Sequence, residues 1–134
     1  MGYNVGMLNF NSVMLGSTQP KVLADFYEKV FEKAPDWQDG SWSGWQVGDT
    51  HITIGEHSEA KGKSKDPVRV MLNFETDDVQ GEFDRISKID GVEVIKEPYH
   101  PGEVEEMFIA TLADPDGNYF QLMSPYKMDN SKVN

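Results

Sequence analysis

The chain has 134 residues and no cysteine, which is the usual size of one domain and excludes disulfides, thiolate metal sites and cysteine nucleophiles. Its 12 basic and 23 acidic side chains give a net charge of −11, which disfavours nucleic acid and anionic lipid as partners and is also a common source of solubility. No basic segment followed by an apolar run opens the sequence, and no stretch approaches about 18 consecutive apolar residues, so we expect a cytoplasmic protein without a signal peptide or membrane span.

The first half of the chain predicts a strand, an amphipathic helix and a hairpin. In the helix, apolar residues recur at three- and four-residue steps from Val22 to Phe31, which places them on one buried stripe. Ala34-Pro35 ends the helix, and Gly48-Asp49 is typical of a tight turn between two strands. The predicted elements are a strand at residues 10–16, a helix at 21–33, and strands at 41–47 and 50–55.

The second half repeats this order of elements. A polar stretch at residues 58–65, rich in lysine and glycine, is expected to be an exposed connection. The elements predicted after Pro67 are a strand at 68–75, a helix at 77–89, and strands at 92–96, 107–113 and 119–123.

Short residue matches accompany the repeated order. Val13-Met14-Leu15 recurs as Val70-Met71-Leu72, and the same offset pairs Val22 with Val79 and Phe26 with Phe83. A shared spacing across a strand and a helix favours a duplication. Each half alone would leave an apolar sheet face uncovered, so we expect the two halves to pair and to curve around a cleft.

Three segments carry a pattern that resembles a known family. The first runs from Ser12 through Gln19-Pro20-Lys21 to Phe31, and the second runs from Leu72 to Val79. The third and most specific is the turn Asp114-Pro115-Asp116-Gly117-Asn118 with the strand that follows it. Together they span about residues 8 to 126 and resemble the vicinal oxygen chelate superfamily, which includes glyoxalases, bleomycin-resistance proteins and extradiol dioxygenases.

The resemblance implies an α+β fold with two tandem βαβββ modules that form a curved mixed sheet around a cleft. It also implies a homodimer. We expect a single glyoxalase-like domain over residues 1–134. Its predicted parts are module one at about 8–57, an exposed linker at 58–66, module two at 67–126 and a C-terminal tail at 127–134.

The resemblance also implies where metal-dependent members hold their ion, on the first strand and a later strand of each module. In this sequence those positions carry Ser12, or Met14 if the register slips by two, together with Thr53, Met71 and Gln121. Hydroxyl, thioether and amide groups are weak ligands for a hard divalent ion. We therefore predict no metal and no other cofactor, and a divalent metal remains the family alternative.

A displaced metal site is the remaining alternative, because His51, Glu56, His57 and Glu59 lie close together in the sequence. His51 and His57 would lie about 20 Å apart on one extended strand, which is too far for a shared ion. Exposed residues at the end of a strand are the favoured interpretation.

Strand alternation predicts which side chains face the cleft. The resulting wall is apolar, aromatic and neutral-polar, which suits a small molecule held by packing and a few hydrogen bonds. His51 and Tyr119 are also candidates for acid/base catalysis. The predicted wall comprises Ser12, Met14, His51, Thr53, Met71, Asn73, Tyr119, Gln121 and Met123.

Three tryptophans, Trp37, Trp42 and Trp45, fall in one short stretch with Asp36 and Asp39. Indole rings near acidic residues can stack on planar or cationic ligands. Coverage of a module or dimer interface is the competing interpretation for each ring. Trp45, inside a predicted strand, is the best single candidate for stacking.

The favoured hypothesis is a metal-independent protein that binds a small amphipathic molecule, cationic or aromatic, as bleomycin-resistance members do. The alternative is a lyase, isomerase or dioxygenase that uses a displaced metal or metal-free acid/base chemistry. A third alternative is an interaction module with a vestigial cleft. The partners expected are a small molecule and a second copy of the chain.

Overall fold

The computed structural model describes residues 6–102 and 106–125, so the predicted tail at 127–134 lies outside the described residues. The chain divides into two compact units, Met1–Gly62 and Lys63–Asn134. Their boundary falls within the predicted linker. The first unit is called module one below, and the second is called module two.

Module one is a four-stranded mixed sheet with one helix. The edge strand β1 runs parallel to β4, and the other neighbours are antiparallel, which gives the order β1-β4-β3-β2. Glycines with positive φ, Gly40 at 61° and Gly48 at 61°, form the turns of the two hairpins. The elements are β1 (Ser12–Ser17), α1 (Pro20–Phe31), β2 (Trp37–Asp39), β3 (Trp42–Val47) and β4 (Thr50–Glu56).

Module two has the same topology, with β5 parallel to β8 and the order β5-β8-β7-β6. The Asp78 side chain caps its helix by accepting a hydrogen bond from the Gly81 backbone N–H at 2.9 Å. The elements are β5 (Leu72–Glu75), α2 (Val79–Ile86), β6 (Glu93–Tyr99), β7 (Ile109–Ala113) and β8 (Tyr119–Met123).

The expected α+β fold with two βαβββ modules is therefore confirmed. Strand β2 was not among the elements predicted individually, because three residues are too few to show a periodicity. The helix predicted at 77–89 and the strand predicted at 68–75 are longer than α2 and β5. No helix in the described ranges combines the length and apolar character needed to cross a membrane.

The core of module one lies between α1 and one face of its sheet. Trp45 shows which face this is, because its ring lies edge-on to Phe31 of the helix at 5.7 Å between centroids. Ile52 is the cross-strand partner of Trp45 and shares its face. The opposite face is called the helix-distal face. The buried apolar residues of this module are Leu23, Ala24, Phe26, Tyr27, Val30, Trp45, Ile52 and Ile54.

In module two the large apolar side chains of β8 again occupy alternate positions. Phe120 and Leu122 of β8 occupy the places that Ile52 and Ile54 occupy in β4, so they mark the face covered by α2. Phe74 packs edge-on against Phe120 at 5.9 Å on this face. Gln121 lies between these two positions and therefore projects onto the helix-distal face.

The residue matches used to infer the duplication do not coincide with the structural repeat. Val22 is 49% exposed whereas its proposed counterpart Val79 is 5% exposed, and Val70 lies outside β5. The registers β1–β4 and β5–β8 instead make Met14 equivalent to Asn73. The duplication is therefore seen in the topology, and the residue matches are displaced from it by two residues.

Candidate functional site

The family's metal positions occupy equivalent places in the two modules. In module one Met14 is in register with Thr53, and in module two Asn73 is in register with Gln121. Ser12 lies two residues before Met14, and Met71 lies two residues before Asn73. Met71 itself lies one residue before β5 and is half-buried.

The side chains at these positions do not suit a divalent cation. In module one they are the hydroxyls of Ser12 and Thr53. In module two they are the thioether of Met71 and the amide of Gln121, whose Nε2 donates to Thr111 Oγ1 at 3.0 Å. Hard cations favour carboxylate and imidazole ligands, so this donor set does not fit the metal that the family resemblance implies.

The displaced site is not assembled either, as far as the structure describes the chain. Within residues 6–102 and 106–125 no three His, Asp or Glu side chains gather to hold a metal ion. His57 follows β4 and accepts a hydrogen bond from the Glu59 backbone N–H at Nδ1, at 3.1 Å. His51 is exposed and lies in register with Ser12 and Gln46.

The helix-distal face of module one carries two indole rings that lie over glycines. A Cβ built on Gly44 would collide with the ring of Trp37, and one built on Gly55 would collide with the ring of Trp42. Both rings therefore approach the backbone of the neighbouring strand, which only glycine permits. These four residues are called the tryptophan platform.

Other side chains of this face border the platform. Met14 is 52% exposed and is separated from Gly44 only by Thr53. At one end of β1, the His57 side chain lies over Gly16, where an added Cβ would come within 2.8 Å of His57 Cβ. The thioether of Met14, the imidazole of His57 and the hydroxyl of Thr53 therefore border the tryptophan platform.

The stacking role predicted for Trp45 is not supported. Trp45 is fully buried on the helix side of the sheet, and its indole N–H donates to the Lys33 carbonyl at 3.0 Å. No part of the ring is accessible to a ligand, so Trp45 is a core residue. Trp37, which is 45% exposed, and the half-buried Trp42 are the accessible indoles of this segment.

Carboxylates lie beside the platform on β2 and just before it. Asp39 is exposed and is in register with Trp42, so it shares the platform's face. Asp36 accepts a hydrogen bond from the Gln46 backbone N–H at 2.6 Å and pairs with Lys33 at 3.2 Å. These two contacts, the backbone bond first, lower the pKa of Asp36 below its ordinary value. The charge of Asp36 is thus already paired with Lys33. Asp39 is the carboxylate in register with an indole of the platform.

The helix-distal face of module two holds the remaining predicted residues. Asn73, Gln121 and Thr111 lie in register on three adjacent strands. Tyr119 is half-buried opposite Ala113, and the Met123 side chain is buried. Sequence reasoning did not select Thr111, Lys96 or Tyr99 on this face, nor Gly44 and Gly55 in module one. Glycines inside strands signal close approach and could have drawn attention to the last two.

The sequence matches the Glyoxalase-like domain family over residues 12–123, which confirms the resemblance drawn from its motifs. Comparison with proteins of curated function finds no match.

Several solved structures have a similar fold. A glyoxalase/bleomycin resistance protein from Albidiferax ferrireducens T118 has a TM-score of 0.67 at 19% identity, over 87% of this chain and 98% of that one. A glyoxalase-related enzyme from Fulvimarina pelagi has a TM-score of 0.72 at 14% identity, over 89% of each chain. A glyoxalase/bleomycin resistance protein/dioxygenase family enzyme from Burkholderia phytofirmans PsJN has a TM-score of 0.64 at 21% identity, over 87% and 98%. At these identities the likeness concerns the fold.

Proposed function

This chain belongs to the glyoxalase-like domain family, and we propose that it is a metal-independent member that binds a planar, cationic or amphipathic small molecule. The tryptophan platform on module one is the observation that supports this proposal. We place the planar part of the ligand on the rings of Trp37 and Trp42. No step of this proposal requires a metal ion or a chemical reaction.

The glycines give the platform its shape. Because Gly44 and Gly55 have no side chains, the indoles can lie close to the sheet rather than stand away from it. A flat indole presents its π face, and stacking of aromatic rings contributes about 0.5–1.5 kcal/mol beyond the area that it buries. The exposed thioether of Met14 adds an adaptable apolar edge.

The charge of the platform's surroundings favours a cation. Asp39 shares the face of the indoles, and the chain as a whole has a net charge of −11. A cation over a tryptophan ring gains about 0.5–2 kcal/mol, more when the site excludes water. The similar proteins from Albidiferax and Burkholderia carry bleomycin resistance in their names. A planar cationic drug is therefore a reasonable first ligand to test.

Titration of purified protein tests the proposal. Intrinsic tryptophan fluorescence and thermal shift would be followed with bleomycin and with a planar acridinium cation, beside a neutral and an anionic ligand of the same ring size. We expect binding of the cations to weaken about tenfold in Trp37→Ala or Trp42→Ala, which corresponds to about 1.4 kcal/mol. Phe10→Ala, which removes an exposed aromatic ring outside the sheet, is the matched control.

Two outcomes would contradict the binding proposal. In the first, Trp37→Ala and Phe10→Ala have the same effect on affinity. In the second, the anionic planar ligand binds more tightly than the cationic one.

Elemental analysis tests the metal-independent part separately. We expect far less than one divalent ion per chain in protein purified without chelator, and no change in thermal stability when chelator is added. One tightly held ion per chain, lost in His51→Ala or Glu56→Ala, would favour the enzymatic alternative with a displaced metal site.

A further inference from the structure

A continuous row of polar side chains crosses all four strands of module two on its helix-distal face. The strand registers align Asn73 with Gln121, Gln121 with Thr111, and Thr111 with Lys96. The row thus contains two amides, one hydroxyl and one ammonium group. Because neighbouring strands are about 4.8 Å apart, the row measures about 14 Å from end to end.

Two irregularities in β6 place Lys96 in this row. The register shifts between Val94 and Lys96 and again between Lys96 and Tyr99. Val94 is paired with Leu112 on the helix side, so regular alternation would have directed Lys96 to that side as well. The first bulge turns Lys96 to the helix-distal face, and the second turns Tyr99 to the same face. Bulges of this kind are frequent beside functional sites, where they redirect a side chain.

The charged end of the row is held in position by an aromatic ring. Lys96 Nζ lies 4.6 Å from the centroid of the Tyr99 ring. A lysine on an exposed strand loses side-chain entropy when its ammonium is fixed, and the cation–π contact offsets part of that loss before a ligand arrives. Lys96 therefore offers an anion a partly oriented partner.

The middle of the row is also pre-oriented. Gln121 Nε2 donates to Thr111 Oγ1 at 3.0 Å, and the Thr111 side chain is buried. With its oxygen engaged as an acceptor, the Thr111 hydroxyl directs its proton elsewhere, and Gln121 keeps a second N–H. Both groups can donate hydrogen bonds to a ligand lying along the row.

We propose that this row binds the carboxylate of a small monoanionic ligand between Lys96 and Thr111, with a neutral oxygen group of the ligand reaching Gln121 or Asn73. A carboxylate accepts charge-assisted hydrogen bonds from an ammonium and a hydroxyl side by side. The apolar pair Ile109 and Met123 lies in the adjoining row and suits a short carbon chain.

The charged side chains around the row favour a ligand with one negative charge over a ligand with two. Glu75 is in register with Met123 at one side of the polar row, and Glu93 is in register with Ala113 at the other side. These carboxylates lie on the same face as the row's single ammonium. A second carboxylate on the ligand would meet repulsion without a second cation, so a keto or hydroxy monocarboxylate fits better than a dicarboxylate.

This inference goes beyond the proposed function, because it concerns the other module and the opposite ligand charge. Its failure can be distinguished from a failure of the tryptophan platform. Lys96 variants should leave binding of the planar cation unchanged, and Trp37 variants should leave binding of the carboxylate unchanged.

The test uses 4-oxopentanoate as the probe, its methyl ester as a neutral analogue, and glutarate as a dicarboxylate of similar length. Binding to the full chain would be followed by chemical-shift changes in ¹H–¹⁵N spectra. We expect 4-oxopentanoate to shift signals of Lys96, Thr111 and the Gln121 side chain. It should bind about tenfold more tightly than the ester, which lacks the charged hydrogen bond, and also more tightly than glutarate, whose second carboxylate is repelled by Glu75 and Glu93.

Matched variants distinguish binding at this site from nonspecific electrostatic attraction to any lysine. Lys96→Gln should weaken binding of 4-oxopentanoate about tenfold, whereas Lys65→Gln, an exposed lysine of the same module outside the sheet, should leave it unchanged. Tyr99→Leu should weaken binding severalfold because the ammonium loses its ring. Equal effects of Lys96→Gln and Lys65→Gln, equal binding of the ester, or no binding of 4-oxopentanoate at its solubility limit would each overturn the proposal.

Discussion

The indole of Trp42 covers Gly55 on the neighbouring strand so closely that a methyl group at that position would collide with the ring. The ring of Trp37 covers Gly44 in the same way. Each ring can lie against the sheet only because the neighbouring strand carries a glycine, which has no side chain, at that position. Glycine inside a strand costs stability by itself, so these two positions have a reason beyond strand formation.

Replacement of Gly55 by alanine should displace Trp42 and destabilise module one. Inserting a methyl group into a close contact costs about 1–3 kcal/mol, and the displaced indole should change the tryptophan emission maximum. Urea unfolding followed by fluorescence measures both effects.

Gly6→Ala is the control for this experiment, because a Cβ at Gly6 would meet nothing within 4 Å. If Gly55→Ala is as stable as Gly6→Ala and has an unchanged emission maximum, Trp42 does not lie over Gly55 in solution.

The tryptophans should differ sharply in their contribution to stability. Trp45 is fully buried against Phe31, so Trp45→Ala should lower the free energy of unfolding by about 3–5 kcal/mol, whereas Trp37→Ala should cost much less because the ring is partly exposed. Chemical denaturation of both variants provides the comparison. A mild effect of Trp45→Ala would show that this ring is not part of the core.

The pKa of Asp36 predicts a pH dependence of stability. The Gln46 backbone N–H, and secondly the Lys33 ammonium, hold this pKa below its ordinary value in the folded chain. A lowered folded-state pKa means that the contribution to stability is fully present above the unfolded-state value of about 3.9 and is lost as the pH falls toward the folded value. Asp36→Asn should remove this contribution and flatten the acid limb of the stability curve.

A pH titration of the side-chain carboxyl ¹³C chemical shift of Asp36 measures its pKa directly. Lys33→Met should raise the pKa only in part, because the hydrogen bond from Gln46, the larger cause, remains. A pKa at or above the ordinary aspartate value would contradict the folded geometry of this turn.

Asp114 should be the most sensitive residue of the closing turn. Its buried carboxylate accepts hydrogen bonds from the backbone N–H groups of Asp116 at 2.9 Å and Asn118 at 3.0 Å, and also from the Asn118 side chain. Asp114→Ala leaves these donors without their acceptor and should cost about 1–3 kcal/mol in unfolding free energy. Asn118→Ala removes only the side-chain donor, so it should cost less; a larger loss in Asn118→Ala would contradict this assignment.

The sequence predicted the fold well where its patterns are long. The stripe from Val22 to Phe31 indicated α1, and the Asp114–Asn118 turn indicated the last hairpin, because periodicity and turn chemistry are local properties. It predicted the ends of elements less well, as with Val70, because the extent of a strand depends on where its partner strand ends.

The candidate site residues remain predictions. With the family pattern setting the register, alternation predicts that Ser12, Met14, Thr53 and Gln121 line a cleft, and the structure places all four on helix-distal faces. Position inside a predicted strand favoured Trp45 over Trp37 and Trp42, but membership in a strand does not reveal which face of that strand packs on a helix.

The sequence by itself determined the order of the elements, the family and the absence of strong metal ligands at the family's positions, since these follow from residue identity and local spacing. Only the tertiary structure decided that the indoles of Trp37 and Trp42 lie over glycines and that Lys96 joins Thr111 on one face. The contacts between indoles and glycines join neighbouring strands. The bulges of β6 reverse the alternation of side chains between the two faces, on which a prediction from sequence relies. Both depend on how strands pair, and strand pairing is a long-range property that local patterns do not encode.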